Sequence, residues 1–261
     1  MVPQRAEGAL LDRAETATPA SIDDLARGDV LVLAPHADDE TLGCGQAIAA
    51  AVAAGRRVRI VLVTDGAASH PNSRSHPPPV LRALRRREFD RAVAALGGGE
   101  IETVALDLAD ASLRLSDARA IARCIAPHAE GLEAGTLWAP WGGDPHCDHE
   151  AVAAAACHVA GASGMPHWSY AVWGRFGARD VPEAACLRRF HEPALLDAKR
   201  RAADAYRSQL TELIADDPDA FVMPPALTRH FVETPEIFIA QTAQTAQTAG
   251  LRPQAARSQR G

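Results

Sequence analysis

The chain has 261 residues, 47% of them hydrophobic and 23% charged, and a formal net charge of −6 at pH 7. That length buries a full core as one domain with small appendages. The acidic balance argues against a nucleic-acid partner, and there is no apolar run of about eighteen residues to span a membrane.

The N-terminus MVPQRAEGALLDRAET lacks the apolar core of a secretory leader, so a cytoplasmic location is expected. Cys44, Cys124, Cys147, Cys157 and Cys186 are odd in number, scattered and without a CxxC pair, which predicts free thiols. Lys199 is the sole lysine among many arginines, a compositional bias that carries no functional signal.

In chain order, residues 1–27 are polar and Ala-rich, with Ser21 before Asp23 and Asp24 as a capped short helix. DVLVLAP (29–35) reads as a strand and TLGCGQAIAAAVAAG (41–55) as a helix closed by Gly55. RVRIVLVTDG (57–66) is a second strand, and VLRALRRREFDRAVAALGG (80–98) an amphipathic helix with Leu84, Phe89, Val93 and Leu96 inward. IETVALDL (101–108), GTLWAP (135–140) and WSYAVWG (168–174) are further strands, separated by helices over 116–130 and 148–161. A long helix is expected over 193–215 and a late edge strand over 229–240.

Strands alternating with helices imply βαβ units. The expected fold is therefore α/β: a doubly wound, Rossmann-like, mainly parallel sheet with helices on both faces, in a single domain. Residues 28–240 form that domain, 1–27 an N-terminal extension, and the QTA-repeat tail 241–261 a disordered end. Edge strands leave room for a homo-oligomer.

In such sheets ligands bind beyond the carboxyl ends of the strands. Three polar clusters lie there, each after a different strand: HADDE (36–40), TDGAASHPNSR (64–74) and WGGDPHCDHE (141–150). Like charges at a strand end repel, and a core strand gains nothing from them; a cation offsets that repulsion. One His and one carboxylate from the first loop, plus one His from HCDH, make the open three-ligand set of a catalytic zinc site. Zinc with an open position brings the pKa of water down to roughly 7. A spare carboxylate then serves as general base, and a spare imidazole acts on the oxyanion.

Plainer readings exist for each piece. DDE alone after a strand is most simply helix capping by Asp39, with Glu40 and Thr41 in the first turn. A lone HxxH is more often surface. Finding both at strand carboxyl ends, in the register of one crevice, favours the site. Cys147 is a zinc ligand, a nucleophile or a spacer, and lacking a CxxC partner it reads best as the spacer. The Gly43-Cys44-Gly45 step reads as close helix-to-sheet packing, and His70 and His76 as solvated. The four tryptophans read as core or rim, with Trp141 a candidate wall of a sugar-sized pocket.

PHADDETLGCGQAIA resembles the PHPDDE-type motif of the LmbE-like (PIG-L) zinc-dependent N-acetylglucosamine deacetylases, and GDPHCDHEAV resembles their HxDHxA-type motif. TDG (64–66) and KRRAADAYRSQL (199–210) fit as well, so the resemblance spans roughly 28–240. It implies that His36, Asp39 and His149 bind Zn2+, with Fe2+ as the alternative because a mixed imidazole–carboxylate set discriminates weakly. It further implies Asp38 as general base, His146 at the oxyanion or leaving amine, Asp148 orienting it, and Arg74 contacting substrate. The substrate is then a small amino-sugar conjugate, its aglycone read by the loop 67–80 and the segment 175–195, both of them mobile by composition.

The usual proline of the motif is Ala37 here, which loosens the turn without removing a ligand. Two rivals remain: a metal hydrolase of another amide or ester on the same framework, and a non-catalytic sugar- or nucleotide-binding module. GCG (43–45) lacks the third glycine of a dinucleotide fingerprint and follows an acidic loop, which disfavours the second.

Overall fold

The computed structural model describes residues 7–177, 183 and 186–241. In chain order the strands are β1 (Thr18–Pro19), β2 (Val30–Ala34), β3 (Val58–Thr64), β4 (Ile101–Leu108), β5 (Thr136–Pro140), β6 (His167–Tyr170), β7 (Leu187–Phe190) and β8 (Glu236–Ala240). The helices are α1 (Ala9–Ala14), α2 (Ile22–Leu25), α3 (Asp39–Ala53), α4 (Pro78–Leu96), α5 (Ala118–Ile125), α6 (Cys147–Ser163), α7 (Leu196–Asp204), α8 (Arg207–Leu210) and α9 (Pro225–Glu233).

Among the described residues the strands form one sheet in the order β1-β7-β8-β6-β5-β2-β3-β4. β4, β3, β2, β5 and β6 run parallel, and β8 is antiparallel to both β6 and β7. The sheet is mixed, with a parallel heart.

Alternation along each strand divides the core in two. On β2, Val30, Val32 and Ala34 face one layer while Leu31 and Leu33 face the other, and all five are buried. The first layer holds α3, α4, α7 and α9; the second holds α5 and α6. A strand apolar on both faces belongs to a doubly covered sheet, which explains the unbroken run VLVLA. No helix among the described residues is long and apolar enough to cross a membrane.

Chain order fixes where ligands gather. From β2 the chain winds outward through β3 to β4, and it then returns to lay β5 on the opposite side of β2. The winding direction reverses between β2 and β5, and the crevice beyond their carboxyl ends is the natural ligand site of such a sheet.

α3 packs closely against the sheet. A Cβ at Gly43 would lie 2.2 Å from the Tyr170 ring, so only glycine fits there. Tyr170 in turn donates its hydroxyl to the Leu33 carbonyl at 2.7 Å. Cys44 leaves helical geometry (φ −147°, ψ 26°), and α3 kinks at it. The freed backbone groups are satisfied by one buried ion pair. Glu236 accepts from the backbone N–H of Gln46 (2.6 Å) and Ala47 (3.0 Å). Lys199 donates to Glu236 (2.7 Å) and to the Leu42 carbonyl (3.2 Å).

Three elements differ from the sequence reading. The helix expected over 193–215 breaks between α7 and α8, because its polar side chains turn inward. Ser208 binds Glu88 through its backbone N–H (2.8 Å) and hydroxyl (2.6 Å), and Tyr206 donates to Glu40. The late segment 229–240 contains the end of α9 and then β8, which lies inside the sheet instead of at its edge. Its apolar sequence EIFIA suits that interior position. Residues 9–25 pack on the fold, with Leu10 and Leu25 fully buried and β1 paired to β7. Ser21 caps α2 in a capping box with Asp24, as read. The QTA tail lies almost wholly outside the described residues.

Candidate metal centre

The turn after β2 brings His36, Asp38 and Asp39 to the crevice, and the turn after β5 brings Asp144, His146, Asp148 and His149. The three imidazoles cluster, with ring centroids 4.7 Å (His36–His146), 5.3 Å (His36–His149) and 5.3 Å (His146–His149) apart. Their nearest nitrogens all lie within 4.8 Å of one another. Asp39 Oδ2 sits between two of them, 3.1 Å from His36 Nδ1 and 3.1 Å from His149 Nε2.

Hydrogen bonds set the tautomers. His149 Nδ1 lies 2.9 Å from the Asp144 carboxylate, which also accepts from the backbone of Val172 and Gly174. That acceptor fixes the ring proton on Nδ1. Nε2, fully buried, lies 3.1 Å from Asp39 Oδ2, and against the pull of burial Asp39 and Asp144 raise the ring's pKa to about 9. A carboxylate behind a histidine whose other nitrogen points into a cluster of further donors is the arrangement of a metal ligand. His36 repeats it: Nε2 meets Asp148 at 3.0 Å and Asp110 at 3.2 Å, leaving Nδ1 toward Asp39. The donor set fits a divalent ion such as Zn2+.

His146 differs. Its Nδ1 accepts from the Asp148 backbone N–H at 3.2 Å, capping α6, so its ring proton sits on Nε2. Burial, with the positive charge of His36 and His149, pushes its pKa down to about 4. It is a neutral donor. Asp148 was expected to orient this ring, but its carboxylate accepts from the backbone of Ala111 (2.8 Å) and Leu113 (2.9 Å) and faces His36. It steadies His36 with its side chain and His146 with its backbone.

Asp38 lines the same cavity, and burial pushes its pKa up to about 8 against the pull of Arg85. Asp39 moves the other way, well below its ordinary value: burial opposes this, but the charge of His149 and the hydrogen bonds from both histidines prevail. His36 is held well above its ordinary value by Asp110, Asp148 and Asp39, despite its burial. The backbone is strained at two points here, Asp38 (φ 139°) and Ala111 (φ 57°), both non-glycine residues at positive φ. Such outliers concentrate at functional sites. Asp38 keeps its strained turn although Ala37 stands where proline was expected; the Ala37 carbonyl is pinned by Arg85 at 3.0 Å.

Arg74 is exposed and outside the cavity, its backbone N–H held by Asp216. The arginine that lines the cavity is Arg85, buried 3.8 Å from both Asp38 and Asp110 and bound to the carbonyls of Gly66 and Ala37. Asp110 and Asp144 were also missed. Cys147 falls within ligand reach only together with His146 and Asp148. Trp141 is buried away from the cavity, where Trp173 stands instead. His70 is buried, not solvated.

Sheet, switch point and donor set define a metal-dependent hydrolase of the deacetylase class. The chain belongs to the PIG-L family: the family's sequence model, GlcNAc-PI de-N-acetylase, matches residues 31–160. Among similar solved structures is a deacetylase of the teicoplanin biosynthetic pathway, a triple mutant, with 21% identity, a TM-score of 0.60, and 82% of this chain and 98% of that one covered. The N,N'-diacetylchitobiose deacetylase from Pyrococcus horikoshii has 19% identity and a TM-score of 0.56, covering 90% and 88%. A conserved protein from Thermus thermophilus has 24% identity and a TM-score of 0.57, covering 82% and 94%. At these identities the likeness establishes the fold. No curated protein matches the sequence.

Proposed function

We propose that this protein is a cytoplasmic zinc-dependent N-deacetylase that removes the acetyl group from an N-acetylglucosamine-type conjugate. The observation that carries the reading is the convergence of two distant loops on one point, where His36 Nδ1 and His149 Nε2 each lie 3.1 Å from Asp39 Oδ2. His36, Asp39 and His149 would hold the metal. Zinc there would supply Lewis acidity and bring the pKa of water to about 7; a mixed imidazole–carboxylate set also accepts Fe2+.

Asp38, lining the cavity beside the ligands, takes the proton of the attacking water and passes it to the departing amine. His146 presents Nε2–H to the oxygen that gains charge as the amide carbonyl becomes tetrahedral. Asp148 fixes both imidazoles from behind, and Asp144 fixes the third. Arg85 holds the Asp38 turn in place, since both Ala37 and Gly66 are bound to it. The five cysteines, all free, support the cytoplasmic assignment.

Acetate release from N-acetylglucosaminides tests this reading. Chelation should abolish it and zinc should restore it; turnover indifferent to chelator would remove the metal from the mechanism.

A further inference from the structure

The cavity that holds the metal centre is about 570 Å³, more than one sugar ring fills and typical of sites for drug-sized molecules. Its far wall differs from its floor. Trp173, Phe176 and Phe221 line it, with Trp173 edge-on to Phe221 at 5.7 Å and backed by Phe231 at 6.2 Å. Phe176 packs edge-on to the same Phe231 at 5.4 Å. All three lining rings are part-exposed toward the cavity, and two of them rest on a fully buried one.

The charge around this wall is one-sided. Among the described lining residues Arg85 is the only Arg or Lys, and it is buried against Asp38, Asp110 and two carbonyls. Asp219 stands exposed at the rim, with no ion-pair partner among the described residues.

The backbone segment that carries Asp219 and Phe221 is anchored on both sides of Asp219. Asp216 accepts from the backbone N–H groups of Arg74 and Ser75 (both 2.8 Å) and from the hydroxyls of Ser73 (2.7 Å) and Ser75 (2.9 Å). Asp217 accepts from Asn72 N–H at 2.7 Å, and Phe221 N–H donates to the Ser69 carbonyl at 3.1 Å. The segment 216–221 is thus stitched to the loop 69–75 and carries Asp219 and Phe221 to the rim of the cavity.

We infer that the site selects a sugar conjugate whose aglycone is aromatic or otherwise apolar and is neutral or cationic, and that it discriminates against anionic aglycones such as phosphodiesters. This rests on the deacetylase reading. The flat rings stack on the aglycone beside the sugar, and Asp219 repels a negative group or pairs with a positive one.

The test uses zinc-loaded protein and four N-acetyl-β-glucosaminides: methyl, 4-hydroxymethylphenyl, 4-aminomethylphenyl and 4-carboxyphenyl. Acetate release is measured for kcat/KM, and calorimetry gives affinity for the same compounds on chelated protein. The aminomethylphenyl compound should exceed the carboxyphenyl one by roughly three- to tenfold, as expected for one part-screened charge. The hydroxymethylphenyl compound should exceed the methyl glycoside by about tenfold through aromatic contact. Asp219→Lys should invert the charge order, and Phe221→Ala should remove the phenyl advantage. Acetate release without a charge or phenyl preference, or with the anionic compound favoured, overturns the inference and leaves the deacetylase reading standing. Ordered binding of the four without any acetate release upholds the inference and defeats that reading.

Discussion

Helix α3 carries two buried polar clusters, and they are built on opposite rules. At its kink, Lys199 and Glu236 are fully buried, oppositely charged, and bonded to each other and to the helix's freed backbone groups. At its N-terminus, the carboxylates of Asp38, Asp39, Asp110 and Asp148 crowd around three imidazoles, the backbone is strained, and a buried nitrogen has no partner. In the first cluster Lys199 and Glu236 meet each other directly. The second is complete only with a cation, and incompleteness of that kind separates a functional buried cluster from a structural one.

The strongest way to break this comparison is to remove one donor from the incomplete cluster. His149→Ala should drop metal content from about one ion per chain to near zero, by the logic of an open three-ligand site, and take activity with it. Metal analysis of the purified variant decides it; retained metal means the ion is held elsewhere. Asp38→Asn separates holding from chemistry. It should keep the metal while kcat falls by roughly 10²- to 10⁴-fold, the range for losing a general base. Steady-state rates beside metal analysis test that split, and a joint loss of both would make Asp38 a ligand.

The complete cluster should respond in stability alone. Glu236→Gln leaves the Lys199 ammonium buried without its counter-charge and should cost roughly 3–5 kcal/mol, as for other broken buried pairs. Adding Lys199→Met should recover part of that loss. Denaturant unfolding gives the energies, and metal content of the folded fraction should not change. If the single substitution is harmless, the kink does not depend on the pair.

The contrast also explains what the sequence could reveal. Acidic residues and histidines at strand ends stand out because they conflict with the apolar runs before them, so the loops after β2 and β5 were legible. Lys199 and Glu236 conflict with nothing local; their partners are backbone groups exposed by a kink that no pattern announces. Arg85 hides for another reason. It shares an inward stripe with Leu81, Glu88, Phe89, Ala92 and Leu96, but it lies in an Arg-rich helix where any arginine could be surface. The stripe's spacing held the signal. Asp144 lay within the quoted motif GGDPHCDHE, and a metal-facing histidine needs a carboxylate behind it. The break after α7 was marked only by Ser208 and Gln209 at inward positions, where a continuous helix would bury them unsatisfied.

The smallest expected effect sharpens the comparison at the other edge of the sheet. His167 opens β6 at the amino end of the strands, buried, with Nε2 unpartnered and no carboxylate beside it. Burial alone pushes its pKa down to about 4. A lone imidazole without acidic neighbours calls for no ion and stays neutral. The unfolded chain binds a proton near the ordinary histidine value, so between roughly pH 6.5 and 4 it holds a proton that the folded state refuses. Stability therefore falls as pH drops through that window, by up to about 3 kcal/mol from this residue. His230, also depressed to about 4, adds its own share in both wild type and variant. Denaturant unfolding of chelated protein at pH 7 and pH 4.5 should show a smaller acid loss for His167→Leu than for wild type. Chelation keeps metal release out of the difference, so equal losses would mean that this imidazole is protonated in the fold by a partner at its unpaired nitrogen.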